Sequence, residues 1–320
     1  SEVSSMSKQL RAGLLLTLTA LIWGSAFVAQ SVGMDYVEPF TYLFSRNVIG
    51  GIILIPIMKF VDKFNGKENN PSAEPKDKRT LIIGGICCGI ALFVASSFQQ
   101  IGIKYTSVGK AGFITSLYMI IVPIFGIFLK KHVPKKVWIA VVIAIIGMYF
   151  LCMTGETGIN NGDILVLLCA VGFSFHILII DHFSPKVDGV HLSCIQFWIC
   201  ALISFFPMVI LEKPTFSMIL AAWAPILYAG ALSSGAGYTL QIIAQKDIEP
   251  TIASLICSLE SVFSVLAGWV ILGETLSPRE LFGCALVFAA VILAQLPERR
   301  PNLSCKDLQR EESRPHHSTL

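Results

Sequence analysis

Three ionisable side chains sit inside long apolar runs, where a charge is hard to keep: Arg46, His176 and Glu260. A charged group at the centre of a membrane-spanning helix costs about 2.5–3.5 kcal/mol to insert, so it tends to face the helix bundle and mark a functional site. The planar guanidinium of Arg46 suits a carboxylate. It can equally reach for outer headgroups, a fixed carboxylate or a helix end. Glu260 is suited to taking up a proton or meeting an amine, and a hydrogen bond to a neighbouring helix would also account for it. His176 titrates near neutrality when unperturbed, which makes it a second candidate for proton coupling. A satisfied contact between helices is the plainer reading of a single histidine.

Uncharged groups extend the set. Trp23 and Phe27 are one helical turn apart and form a candidate apolar wall, while Gln99, Gln100, Tyr118, Gln196, Tyr238 and Gln241 lie in or near apolar runs. Binding pockets are mostly apolar with a few placed polar groups, which such a set supplies. Helix packing and interfacial anchoring are the competing roles. Gly85 with Gly89, and Gly230 with Ser234, are small-x-x-x-small pairs that predict close helix packing, within one chain or across a dimer. Catalytic patterns are missing. Gly102…Gly109-Lys110 has six residues between its glycines and then Ala111, which is no phosphate loop. There is no G-x-S-x-G, no H-E-x-x-H and no clustered His/Cys ligand set, so neither an enzyme, a metal site nor a cofactor is expected. The nine cysteines include no C-x-x-C, and eight fall in or at the ends of apolar runs, as buried small hydrophobes do.

These residues are carried by apolar segments. Of 320 residues, 54% are hydrophobic and 14% charged, against roughly 25% charged in a soluble domain. Residues 12–33, 81–103, 111–129, 137–155 and 192–211 contain no Asp, Glu, Lys or Arg, and 39–58 and 250–273 hold one internal charge each. About 20 apolar residues span a bilayer. Segments 164–180 and 281–296 are shorter but apolar, and a helix near 219–244 lies within the uncharged stretch 214–245. Ten spans are therefore expected, the first a membrane helix rather than a cleavable signal. With both termini cytoplasmic, inner loops and tails hold 19 Lys and Arg and outer loops hold 4, the bias that cytoplasmic loops carry. The lysines follow this topology rule and predict no nucleic-acid partner. Asp62–Arg79 and the tail 297–320 read as solvated cytoplasmic segments, which makes glycosylation of the Asn302-Leu303-Ser304 sequon unexpected.

The chain also repeats itself. At an offset of about 142 residues, Thr115-Ser116-Leu117-Tyr118 lines up with Cys257-Ser258-Leu259-Glu260. Upstream, at a slightly larger offset, Trp23-Gly24-Ser25-Ala26-Phe27 faces Gly172-Phe173-Ser174-Phe175-His176. Pro56 and Pro207 occupy like places. Five spans per half put the second copy into the membrane upside down. The expected fold is an all-α membrane protein of ten transmembrane helices in two inverted five-helix repeats, over 10–155 and 160–296. Inverted repeats are common in secondary transporters, with the solute site near midplane at the repeat interface.

Ser258-Leu259-Glu260-Ser261-Val262-Phe263, Gly268-Trp269, Leu272-Gly273-Glu274 and Gly283, with Trp23-Gly24 and Arg46, resemble the EamA-type transporters of the drug/metabolite transporter superfamily. The resemblance covers roughly residues 10–296. Ser261 stands where that family often has proline, which bears on the kink of helix nine. Lys130-Lys131-His132 stands where its first repeat often has a Gly-Glu pair. The resemblance implies export of amino acids or related metabolites without ATP. The expected location is the cytoplasmic membrane, and the expected state a monomer or homodimer. Protons are the expected coupling ion, and the partners are a small solute and membrane lipid. Exchange or import of nucleotide-sugar-like or drug-like solutes is the alternative. A membrane-embedded enzyme is disfavoured, because no catalytic pair is visible at either membrane face.

Overall fold

The computed structural model describes residues 2–64, 78–106, 108–130, 133–152, 160–272, 275 and 277–296. The tail 297–320, Gly273-Glu274, Lys131-His132 and most of Asp62–Arg79 lie outside the described residues. Long apolar runs become helices because a helix satisfies its backbone hydrogen bonds within itself, which lipid cannot do for it. The described residues contain no strand. The long helices are α1 (Glu2–Gly33), α2 (Pro39–Phe64), α3 (Lys78–Ile103), α6 (Lys135–Cys152), α7 (Asn161–Phe183), α8 (Gly189–Pro207) and α14 (Pro278–Gln295). Between them lie two broken helices, α4 (Val108–Thr115) with α5 (Tyr118–Phe128), and α12 (Pro250–Cys257) with α13 (Glu260–Leu272). The remaining run is α9 (Phe216–Ala221), α10 (Trp223–Tyr228), a π-helix (Ala229–Tyr238) and α11 (Thr239–Ala244). A second π-helix, Met208–Glu212, extends α8.

Among the described residues, seven helical stretches are long and apolar enough to cross a membrane. The other three expected spans fall on α6, on the α9-to-α11 run and on α14. Polar residues mark where helices start. Asn160 and Asp163 form a reciprocal capping box at α7, and Ser277 and Glu280 form another at α14, where Pro278 begins the helix. Large apolar side chains face outward, with Phe128 79% and Val270 72% exposed. A helix apolar on its outer face needs lipid there, so the chain is a multi-pass membrane protein.

Within the bundle α6 packs on α14, α3 on α7 and α8, and α2 on α8 and the π-helix Ala229–Tyr238. α1 runs against α13, α11 and that same π-helix. Where α6 and α14 cross, a Cβ on Gly283 would sit 2.6 Å from the Gly147 carbonyl oxygen, so only glycine permits this approach. Gly85 and Gly89 meet Ile195 and Ile199 of α8, and Gly230 meets Ile49 of α2. Both small-residue pairs are thus used inside the monomer.

α2 and α8 are tied to one another near both ends. The Glu212 carboxylate accepts hydrogen bonds from the Phe40 and Thr41 amides (2.7 Å each) and from Thr41 Oγ1 (2.6 Å), at the start of α2. At the other end, Asp62 Oδ2 lies 3.1 Å from Nε2 of His191, whose Nδ1 lies 3.0 Å from the α8 cap Asp188. Glu212 follows His191 by the same 21 residues that separate Asp62 from Thr41. Carboxylates are stabilised at helix N-termini by unpaired amides and the helix dipole.

The two broken helices interrupt at matching places, after Thr115 and after Cys257. No proline stands at either break. Ser258 Oγ donates instead to the Leu255 carbonyl (2.6 Å), and Ser261 Oγ donates to the Gly112 carbonyl (3.1 Å). Serine side chains that take backbone acceptors compete with the helical ladder and bend it. The kink of helix nine is therefore present without the proline.

Candidate functional site

Each break ends at a residue that could do chemistry. Tyr118 opens α5 and Glu260 opens α13, and Tyr118 Oη donates to Glu260 Oε1 at 2.9 Å. The two residues are 142 apart, the repeat offset. Glu260 stands at the first position of a half-helix, at the N-terminal end of its dipole. Ser116 and Ser261 hydroxyls lie 2.6 Å apart and join the two breaks.

These residues form one wall of a buried cavity. α1 contributes Trp23, Ala26, Phe27 and Gln30, one helical face at a spacing of three to four residues. Arg46 comes from α2, Gln99 from α3, Thr115 and Tyr118 from the first break, and Phe173 with Ile177 from α7. Ser233 and Tyr238 on the π-helix, Gln241 on α11 and Glu260 complete it. The space holds about 430 Å³ free of atoms, but only about 30 Å³ admits the centre of a water molecule. A cavity needs roughly 10–15 Å³ by that measure to hold one water. The walls therefore leave room for little more than a few water-sized molecules and must part to take a larger solute.

Its electrostatics are unusual for a membrane interior. Arg46 is 3% exposed and does not reach the headgroups. Its Nη2 donates to Ser233 Oγ at 2.8 Å and its Nε to Ser234 Oγ at 3.1 Å. Glu260 is 4% exposed. Among the described residues neither charge is in an ion pair, with the other or with any third group. One cavity thus holds a guanidinium outside any ion pair and a carboxyl group with Tyr118 as its hydrogen-bond donor. Amides line the rest. Gln30 Nε2 donates to Gln99 Oε1 (3.2 Å), and Gln99 Nε2 to Thr115 Oγ1 (3.4 Å). Trp23 and Tyr238 pack ring to ring with centroids 4.7 Å apart.

Of the eleven residues singled out by sequence, Trp23, Phe27, Arg46, Gln99, Tyr118, Tyr238, Gln241 and Glu260 line the cavity, while Gln100 donates to the Gln30 carbonyl oxygen at 3.3 Å outside it. His176 and Gln196 do not. They bind each other, His176 Nε2 to Gln196 Oε1 at 2.9 Å, and the imidazole lies edge-on behind the Tyr238 ring. One residue along a helix turns a side chain by about 100°, so Ile177 faces the cavity while His176 points away. Ala26, Gln30, Thr115, Phe173, Ile177 and Ser233 line it too, and the sequence did not single them out. Gln30 and Ala26 were within reach, being on the same helical face as Trp23 and Phe27. Nothing in the composition around Ser233 distinguishes it from a packing residue. Among the described residues no group of three or more His, Cys, Asp or Glu is placed to hold a metal.

The family of EamA-like transporters matches the chain twice, over residues 10–153 and 160–296. The chain belongs to that family. Relatives of this EamA-like transporter include an uncharacterized transporter of Archaeoglobus fulgidus, 32% identical over 290 residues, which span 90% of this chain and 87% of the relative. The uncharacterized transporter YetK of Bacillus subtilis is 20% identical over 307 residues, 93% of this chain and 90% of its own. A crystal structure of another protein superposes with a TM-score of 0.70 at 19% identity, covering 88% of this chain and 96% of that one, and has the same fold. The EamA-like match runs through every element that lines the cavity.

Proposed function

We propose that this transporter is a secondary active exporter of small zwitterionic metabolites, amino acids first among them, working by alternating access from the cytoplasmic membrane. One observation carries the reading: Arg46 and Glu260 line the same buried cavity without pairing. A guanidinium and a carboxylate on a shared small space complement a carboxylate and an ammonium on one small molecule. Two buried charges left apart are costly unless something else joins them. Phosphorylated solutes would call for several cations, and Arg46 is the lone one among the described lining residues.

The proposed architecture is ten spans in two inverted five-helix halves with both termini cytoplasmic. It is supported by the two separate family matches, the helix breaks at equivalent places and the carboxylates Glu212 and Asp62 that tie α2 to α8 near both ends. Discontinuous helices at the repeat interface are where such transporters bind solutes. Glu260 is the proposed proton-coupling group, since a carboxyl at the cavity wall can carry a proton in one state and meet an amine in the other.

The test is flux in proteoliposomes with a panel of amino acids, with and without a proton gradient and without ATP. Accelerated flux of at least one amino acid is expected. Glu260→Gln should remove its dependence on the gradient, and Arg46→Ala should lower flux at least tenfold. No flux across the whole panel would overturn the reading.

A further inference from the structure

We infer that Ser233 and Ser234, adjacent on the π-helix Ala229–Tyr238, are positioning residues that hold Arg46 by one edge and leave its other edge free for the carboxylate of the transported solute. This rests on the proposed role of Arg46 as the carboxylate-binding group. A guanidinium carries five N–H groups in a fixed plane. The lateral edge, Nε and Nη2, is taken by the two hydroxyls at 3.1 and 2.8 Å. Nη1 has no hydrogen-bond partner among the described residues and is not among the sealed, unpartnered atoms. The group lines the cavity, so this open edge is the one a solute meets.

The chemistry of the holders is what matters. A carboxylate on the lateral edge would fix Arg46 equally well but cancel its charge. Neutral hydroxyls satisfy two donors and leave the full positive charge for an anion in a low-dielectric space. Ser45, Ser174 and Ser204, by contrast, each turn back onto their own helix and donate to the carbonyl four residues earlier, at 2.7–2.8 Å. Ser233 and Ser234 accept from Arg46 instead.

The backbone is built for this. Neighbouring residues on an α-helix do not share a face, yet both hydroxyls reach one guanidinium. They do so from a π-helix, a rare form found mostly at functional sites. Gly230 brings this helix onto α2: a Cβ there would lie 2.6 Å from Ile49 Cβ and 3.0 Å from the Arg46 carbonyl oxygen. That closeness lets side chains as short as serine span the gap. The Trp23 indole N–H donates to the Ser233 carbonyl at 3.3 Å and ties the α1 wall to the same point.

The experiment measures KM and kcat in proteoliposomes for alanine, leucine and phenylalanine and for their carboxamides, which lack the anionic oxygen. The wild type should carry the acids in preference to the amides. Ser233→Ala/Ser234→Ala should raise KM for the acids at least tenfold, with kcat and the amide KM moved less than twofold. Ser233→Thr/Ser234→Thr should retain most of the preference. Ser234→Asp, which places an anion on the guanidinium, should lose acid transport and keep the amides, and it reports even if the double alanine variant fails to fold. Equal loss for acids and amides in both the alanine and aspartate variants would mean a purely structural role and overturn the inference. If Arg46→Ala leaves the acid preference intact, or no acid is carried, the reading of Arg46 fails and this inference with it. Loss of preference in Arg46→Ala with none in the serine variants would overturn the inference alone.

Discussion

At the scale of the residue, the cost of a buried charge is the organising fact. Arg46 and Glu260 bond to side chains other than each other, Arg46 donating to two serines and Glu260 accepting from a tyrosine, which leaves both available to a third party. His176 bonds through Nε2 to Gln196 behind the wall. His176→Gln should lower the thermal midpoint of the purified protein while the KM of folded transporter stays within twofold. A large KM change would place the histidine in the solute path. Lys130 and Lys213 end their helical segments in the left-handed region, at φ 58° and 47°. Residues with a Cβ pay about 1–2 kcal/mol there, partly offset for glycine by its greater freedom when unfolded. Lys130→Gly should therefore raise stability, by up to about 1 kcal/mol, read as an upward shift of the midpoint. The charges at membrane depth were legible in sequence because apolar neighbours made them conspicuous. The serines were not, since a serine on a helix usually serves only its own backbone.

At the scale of the element, helix ends do more than stop the helix. The Glu212 carboxylate, from the far end of the α8 extension, satisfies two amides of α2. Removing a capping acceptor costs about 0.5–2 kcal/mol. Glu212→Ala should lower stability by about that amount, measured by thermal unfolding in detergent, and Glu212→Gln should lower it less. A neutral result for the alanine variant would show that water replaces the cap. The capping boxes at α7 and α14 follow a spacing visible in the sequence. The cap from Glu212 joins residues 171 or more apart, and no local pattern announces it. The α9-to-α11 run illustrates the same limit. Its apolar character marked a span, but its π-helix depends on Gly230 finding α2 and on Arg46 taking the serines.

For the whole molecule, exposed apolar faces and charge asymmetry decide where the chain sits. Lys and Arg number 19 on the side proposed as cytoplasmic and 4 on the other. Epitope tags at the two ends should both be reached by antibody only after the cell membrane is permeabilised. A tag stained on intact cells would overturn the topology. The narrowness of the cavity belongs to this scale as well. A space with about 30 Å³ open to water centres cannot hold an amino acid until helices move. The helix breaks at Ser116 and Ser258 and the α2–α8 pair are where that movement is expected.

Membership of a membrane-embedded, all-helical class was determined by the sequence alone, because long uncharged runs leave the chain no other stable environment. So were the rare charges within those runs, and the rhythm that suggested two halves. Which charges share a cavity was decided only by tertiary structure. One residue of helical rotation separates Ile177 from His176, and packing against Tyr238 and Gln196 settles which of them faces inward. The pairing of Arg46 with Ser233 and Ser234, 187 and 188 residues away, arises from a glycine-mediated approach of two helices. Close packing of that kind depends on shapes from distant parts of the chain, and no local pattern encodes it.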